Sequence, residues 1–342
     1  MKIAIHGNKG TFNKRWIEYC EVHCIEYKVI NCYDNDVILQ LADCDALMWH
    51  HSQNNPRDLL IAKPILFSIE QAGKVVFPDF KTNWHFDDKL GQKYLLESLN
   101  IPFVQSFAFF NLQDARQWAD QTGFPVVFKL RRGAGSFNVK LVNSKNEAIK
   151  LIKTAFGKGF SNYDAFAALK EIFRKSKLGK ATIKNVLKGI AHLFIHPMFA
   201  KIVGRERGYI YFQEFIPDNT FDIRVIVIGD KAFAIKRMVR ANDFRASGSG
   251  NILYEKEHFD NDTIKLAFKV SEKSGSQCTA YDFVYKNGQP LVIEISYGFD
   301  PKGYESCTGY WNSNLEWFPG KFNPYGWMVE NVIAQFNSTK IA

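Results

Sequence analysis

Two acids sit inside otherwise apolar runs late in the chain, and they constrain the fold more than any other feature. Asp282 lies in Ala280-Tyr281-Asp282-Phe283-Val284-Tyr285, and Glu294 in Leu291-Val292-Ile293-Glu294-Ile295-Ser296. The runs flank Asn287-Gly288, a turn pair, so the segment predicts an antiparallel hairpin. An ionised carboxylate within such a strand is costly unless something compensates its charge. A divalent cation would do so; so would basic residues on a solvent-exposed sheet face. Register decides whether the acids can share a cation, because side chains alternate faces with period two. A two-residue turn pairs Lys286 with Gln289, sets Asp282 opposite Ile293 and sends Glu294 to the other face. A three-residue loop, Lys286-Asn287-Gly288 with Gly288 left-handed, returns both acids to one face, with Ser296 two residues on. The odd loop is the expectation, and on this reckoning a two-residue turn would rule out a shared metal.

The rest of the chain reads as α/β. Lys2–His6, Tyr27–Cys32, Ala46–His50 and Lys74–Pro78 have the pattern of short strands, separated by the helix-compatible stretches Phe12–Cys24, Asp36–Leu41 and Arg57–Gln71. That alternation predicts a parallel α/β layer. Further on come a helix over Asp87–Leu99, an apolar strand over Phe124–Leu130, a strand over Tyr209–Phe215, and a hairpin turning at Gly229-Asp230. With 46% hydrophobic residues the chain can bury a sizeable core, so disorder is not expected. The first residues lack the apolar run of a signal peptide and no stretch approaches the roughly 18 apolar residues of a membrane span, which predicts a cytoplasmic protein. Six cysteines without a zinc-ligand spacing read as free thiols. The net charge of +9 is concentrated: residues 157–207 hold 11 Lys/Arg against 3 Asp/Glu. One basic segment, with no recognition motif, argues against a nucleic-acid binder.

Several stretches suit an anionic nucleotide. Gly133-Ala134-Gly135-Ser136 follows a buried strand and can bring bare backbone N–H groups to phosphate oxygens, with Lys129 near the strand's end as a point charge. It is not a P-loop, because the Gly-Lys-Ser/Thr ending is absent. Gln213-Glu214-Phe215-Ile216-Pro217 can offer backbone groups and apolar faces to an adenine, and Asp222 can accept from ribose hydroxyls. Arg224, Arg237, Arg240 and Arg245 add donors for phosphate or an acyl oxyanion. Phe244–Gly250 reads as a mobile loop able to close over a site.

Taken singly these features are weak; their order resembles the ATP-grasp superfamily, in its glutathione-synthetase and ribosomal-protein glutamate-ligase branch. The resemblance runs from about Asn83 to Ile295. Asp88-Lys89-Leu90 and Phe128-Lys129-Leu130 are similar to the two nucleotide-lysine motifs, Gly133–Ser136 to the glycine-rich loop, and Gln213–Ile216 to the adenine hinge. Phe221–Val225 resembles the ribose strand and Asp243–Ala246 the segment with a phosphate-contacting arginine. The resemblance implies three parts: an N-terminal parallel α/β domain (1–84), a central lid domain (85–216) with a basic helical insertion (157–207), and a C-terminal mixed-sheet domain (217–336). It implies ATP and Mg²⁺, with Mn²⁺ as an alternative, metal ligands Asp282, Glu294 and Ser296, and Arg224, Arg240 and Arg245 as catalytic donors. Ser296 departs from the family, whose third ligand is Asn.

The implied chemistry is amide formation through an acyl phosphate, joining a small-molecule or glycan carboxylate to an amine. A kinase on the same fold, and a nucleotide-binding module without turnover, are the alternatives. In the basic segment Ile183, Val186, Leu187, Ile190, Leu193 and Phe194 follow helical spacing, while Lys180, Lys184 and Lys188 step four apart. That pattern fits a helix packed on the domain with solvated lysines, or one touching an anionic membrane or lipid-linked acceptor. The aromatic tail (Tyr297, Tyr304, Tyr310, Trp311, Trp317, Phe318, Tyr325, Trp327) is expected to be mainly core, with faces that would also suit sugar rings. A uronic acid in polysaccharide biosynthesis is one substrate this suggests. His50 and His51, at the end of the third strand, fit a substrate cleft, and equally a core or surface position.

Overall fold

The computed structural model describes residues 1–7, 12–133, 138–161, 169, 172, 173, 176, 182–194, 197–240, 243–246 and 248–340. Gly135, Ser136 and Lys180 lie outside the described residues. The chain divides into two compact units, one of Met1–Phe86, Gly91–Phe103 and Asp218–Ala342, the other of Asp87–Leu90 and Val104–Pro217.

The first unit opens with strands β1 (Ile3–His6), β2 (Tyr27–Ile30), β3 (Ala46–Met48) and β4 (Val75–Phe77). They form a parallel sheet in the order β2-β1-β3-β4. Parallel strands need crossovers, and the helices Phe12–Val22 and Pro56–Gln71 are two of them. The second starts at Pro56, behind Asn55, whose side chain accepts from the Arg57 N–H. From β1 the chain runs first to one side and then to the other, so the topological switch lies between β1 and β3.

The second unit contains β5 (Ser106–Phe109), β6 (Val126–Lys129), β7 (Val139–Val142), β8 (Phe160–Ser161), β9 (Arg205–Glu206) and β10 (Ile210–Glu214). Its four-stranded sheet runs β5-β10-β6-β7, and β8 pairs with β9. Alternation gives the sheet two characters. Val126, Phe128, Ile210 and Phe212 pack with residues of the helices Leu112–Gln121 and Lys145–Phe156. Val127, Lys129, Tyr211 and Gln213 project from the opposite face.

Back in the first unit come β11 (Phe221–Ile228), β12 (Lys231–Met238), β13 (Ile252–Leu253), β14 (Cys278–Lys286), β15 (Gln289–Ser296), β16 (Gly309–Asn312) and β17 (Trp317–Pro319). The order is β15-β14-β11-β12-β16-β17, with β13 beside β12. Ile223, Val225, Val227, Tyr281, Phe283 and Val292 pack together with the apolar side of helix Asn261–Ser274. The other face changes character along its length. Ile226, Ile228, Phe233, Ile235, Cys278 and Ala280 share a core with β1, helix Phe12–Val22 and helix Pro324–Thr339. Beyond them the same alternation presents Asp222, Arg224, Arg237, Asp282, Glu294 and Ser296.

The β14–β15 hairpin corrects one expectation. Its turn has two residues, not three: Lys286 pairs with Gln289, and Asn287 and Gly288 have φ of 53° and 75°. Two successive left-handed residues match the right-handed strand twist, which is what an Asn-Gly turn supplies. The acids nonetheless share a face. Phe283 opposes Val292 but Asp282 opposes Glu294, so Ile293 is the extra residue of a β-bulge between them. The bulge shifts the register by one, the shift the odd loop was expected to make, so the two-residue turn does not separate the acids.

Phe233 is fully buried, and its ring meets Phe299, Tyr304, Phe322 and Trp327. Phe233→Ala should therefore lower stability by about 3–5 kcal/mol, read as a lower denaturant midpoint at unchanged m-value.

Candidate active site

On the polar half of the β11–β14 face, four side chains form a chain of alternating charge. Arg237 is cross-strand from Asp222 and holds it with two bonds of 2.6 and 2.7 Å. Arg224 is cross-strand from Asp282 and holds it likewise, at 2.5 and 2.6 Å. Arg237 Nη2 also reaches Asp282 Oδ2 at 3.1 Å, joining the two pairs. The carboxylates do not respond alike. Burial pushes both towards protonation. For Asp282 the two guanidinium groups outweigh burial and hold its carboxyl well below the usual range. For Asp222 burial wins over Arg237, helped by the charge of Asp282, and its pKa is raised. Asp282 is thus the acid fixed as an anion.

The donor set can be tested against a magnesium ion. Asp282 Oδ1 accepts one N–H, from Arg224 Nε, while Oδ2 accepts from Arg224 Nη2 and lies in ion-pair contact with Arg237. A carboxylate oxygen accepts two bonds, so Oδ1 keeps one lone pair. Glu294 stands directly across the strand pair and Ser296 two residues along, opposite Ala280 on the same face. The Ser296 hydroxyl donates to Gly298 O at 3.0 Å, which leaves its oxygen lone pairs for accepting. Among the described residues no group of three or more His, Cys, Asp or Glu is arranged as a metal cage. One or two carboxylates with a neutral oxygen fit Mg²⁺, which takes its remaining ligands from water and phosphate.

Tyr304 was not singled out from the sequence as a site residue. Its hydroxyl feels the charge of Arg224, and its ring packs on Phe233 and Phe299. It also walls a cavity of about 510 Å³ lined with Tyr19, Phe322 and Tyr325 beside Arg15, Glu18 and Glu305. The cross-strand role of Arg237 was legible: counting back from the Gly229-Asp230 turn pairs it with Asp222. The placement of Tyr304 had no sequence signal.

The topological switch of the parallel sheet carries three histidines. His6 ends β1, and its Nδ1 accepts from the Cys32 N–H. His50 stacks on Phe12, accepts from the Phe12 N–H through Nδ1, and borders Gly298, where a Cβ would come within 3.2 Å of Nε2. His51 Nε2 bonds Asn83 Oδ1 at 2.9 Å, and Tyr297 Oη donates to His51 O. His50 thus lies against the loop that follows Ser296. Burial lowers their pKa values, to about 4 for His6 and about 3 for His50 and His51, so all three are neutral.

In the second unit the expected nucleotide residues fall into two groups. Lys129 donates to Gln213 Oε1 at 2.6 Å, and Gln213 Nε2 donates to Ser106 Oγ at 3.0 Å, a relay across three strands of one face. Glu214 ends β10, followed by Phe215 and Ile216. Lys89 donates to Gly133 O at 2.9 Å, and the Gly133 N–H donates to Asp87 Oδ1 at 2.8 Å. Arg131 and Asp88 form a bidentate pair. Asp87–Lys89 therefore anchor the mouth of the glycine-rich loop, and Gly133, at φ 119°, adopts a backbone open to glycine. In the first unit Arg245 pairs with Asp243 at 2.7 Å, and Arg240 Nη2 lies over Gly248, so the segment after β12 folds on itself.

A family model for a RimK-like ATP-grasp domain matches residues 199–310, and one for the carbamoyl-phosphate synthase L chain ATP binding domain matches 88–173. Residues 199–310 are thus identified as an ATP-grasp domain. It is 22% identical over 279 residues to the alpha-aminoadipate–LysW ligase LysX of Saccharolobus solfataricus, covering 79% of this chain and 83% of that one. Its fold is similar to the D-alanine–D-alanine ligase of Bacillus anthracis complexed with ATP (TM-score 0.56, 14% identity, 99% of this chain and 98% of that one). It is also similar to the ATP-grasp ligase PsnB complexed with a minimal precursor, Mg and ADP (TM-score 0.54, 14% identity, 98% of each chain). The mixed parallel and antiparallel sheets are the ATP-grasp architecture.

The histidines generate a pH prediction. Each binds a proton near 6.5 when unfolded but only near 3–4 when folded, so the unfolded chain holds more protons in between. Stability is full above pH 6.5 and falls as pH drops, by on the order of 2 kcal/mol per histidine at pH 5. Urea midpoints from pH 7 to 5 should fall accordingly, and less in His51→Gln.

Proposed function

We propose that this protein is an ATP- and Mg²⁺-dependent carboxylate–amine ligase that forms ADP, phosphate and an amide. The observation that carries the reading is the bulged β14–β15 pair, with Asp282 opposite Glu294, Ser296 on the same face and Asp282 kept ionised by Arg224 and Arg237. Asp282, Glu294 and Ser296 would hold the magnesium, which supplies charge neutralisation at the phosphates. Lys89, Lys129 and the Gly133–Ser136 loop are read as phosphate contacts, Gln213–Ile216 as the adenine hinge, and Asp222 as a ribose acceptor. Arg224, Arg240 and Arg245 are read as donors to developing negative charge.

In the proposed reaction a substrate carboxylate oxygen attacks the γ-phosphorus and the bond to the β-phosphate oxygen breaks, releasing ADP and leaving an acyl phosphate. The amine nitrogen then attacks the acyl carbon, the C–O bond to phosphate breaks, and the amine proton leaves to solvent. No protein nucleophile is needed; the residues position reactants and balance charge.

For the acid substrate we favour a uronic acid or an amino acid. Supporting this is the cavity beside Tyr304, where aromatic faces stand next to arginine and carboxylate groups, a lining suited to a hydroxyl-rich or amino-acid ligand. A reducing cytoplasm is the proposed setting, and all six cysteines are unpaired thiols.

An ADP-release screen of carboxylate and amine pairs, including uronic acids, tests the reading. Glu294→Gln should lower substrate-dependent ADP release by roughly 10²-fold with an unchanged melting curve. Hydroxylamine should replace the amine and yield a hydroxamate. ADP release without hydroxamate would instead identify a kinase.

A further inference from the structure

The basic insertion of the second unit carries exposed apolar side chains that the ligase chemistry leaves unexplained. Of fourteen large hydrophobic residues exposed among the described residues, five fall within 173–202: Phe173, Leu187, Ile190, Met198 and Ile202. Apolar residues scattered singly are ordinary on a surface, whereas a concentration of them along one basic segment calls for a partner.

Helix Ile183–Phe194 shows how the concentration arises. Gly189 is its buried side: a Cβ there would meet Ile172 and Leu169 at 2.8 and 3.0 Å. Residues three and four apart share a helix face. Lys184 and Lys188 therefore form one stripe, both exposed, and Leu187 and Ile190 a second beside it, at 62% and 39% exposure. The apolar arc is thus wider than the part Leu169 and Ile172 cover, and its uncovered edge runs along the lysines. In the next helix, Met198–Val203, Met198 and Ile202 repeat the arrangement four apart, with Lys201 exposed. The whole segment 157–207 has 11 Lys/Arg against 3 Asp/Glu.

We propose that helix Ile183–Phe194 docks on an anionic lipid bilayer, with Leu187 and Ile190 entering the headgroup–acyl boundary and Lys184 and Lys188 at the phosphates, and that Met198, Ile202 and Lys201 of the following helix add a second contact of the same kind. Among the described residues no helix is long and apolar enough to cross a membrane, so the contact is interfacial. Charge sets the sign of the surface, and the aliphatic side chains choose the bilayer over a nucleic acid, whose phosphate backbone offers them no apolar partner.

The test is co-sedimentation of the full chain with mixed phosphatidylcholine–phosphatidylglycerol vesicles, against pure phosphatidylcholine vesicles and a duplex DNA. Binding should be confined to the mixed vesicles. The pair Lys184→Ala/Lys188→Ala should weaken it roughly thirtyfold, and Leu187→Ser/Ile190→Ser by about tenfold or more, with melting curves and ADP release from soluble substrates unchanged. Equal binding to both vesicle types, no binding, or binding indifferent to Leu187 and Ile190 would overturn the proposal. DNA binding as tight as vesicle binding would overturn it too, leaving only a charged surface.

Discussion

The double grip on Asp282 is the interaction on which the rest of the site depends. A carboxylate this deep in a sheet would take up a proton if it had no partner, and even with Arg237 bonded to it and Arg224 nearby the neighbouring Asp222 is still pushed upward by burial. Asp282 has two guanidinium groups against it, and remains ionised. The second comes from Arg237, which is fixed by its own bidentate bond to Asp222. Asp222 therefore acts on Asp282 through a shared arginine, and removing any one of the four leaves a buried charge without its counterpart.

That array can exist because one sheet face changes character along its length. Ile226, Phe233, Ile235 and Ala280 fill the apolar half, and their alternation continues without interruption into Arg224, Arg237 and Asp282. The apolar packing fixes the strand register, and the register fixes which arginine faces which acid. Tyr304 sits at the border, its ring on Phe233 and its hydroxyl within the influence of the Arg224 charge. The position of the guanidinium is thus tied to the hydrophobic core rather than to solvent-exposed side chains alone.

Much of this was legible before any coordinates. The strand–helix alternation of the first 80 or so residues gave the parallel sheet, because short apolar runs and capped helices signal themselves locally. Asp282, Glu294 and Ser296 stood out because acids in apolar strands conflict with their surroundings. The bulge at Ile293 did not. A bulge is stabilised by packing of the whole sheet, and Leu291-Val292-Ile293-Glu294 reads equally well as a regular strand. Counting from the turn gave the wrong loop length in order to reach the right face. Tyr304 and the Lys129–Gln213–Ser106 relay were invisible for a related reason: they join residues whose proximity only the tertiary fold creates.

The same charge count bears on how such a site handles anions. Asp222, Asp282, Arg224 and Arg237 cancel formally. A site made of bare carboxylates would hold a divalent cation tightly and repel phosphate and substrate carboxylate. Here the guanidinium groups take up part of the capacity of Asp282, which would weaken the protein's own hold on a cation and leave phosphate oxygens and water to supply more of its ligands. Ser296 acts in the same direction, since a hydroxyl is a poorer neutral ligand than an amide oxygen. On the proposed reading the metal would belong to the nucleotide as much as to the protein, and Asp282 and Glu294 would place a metal–nucleotide complex rather than store an ion.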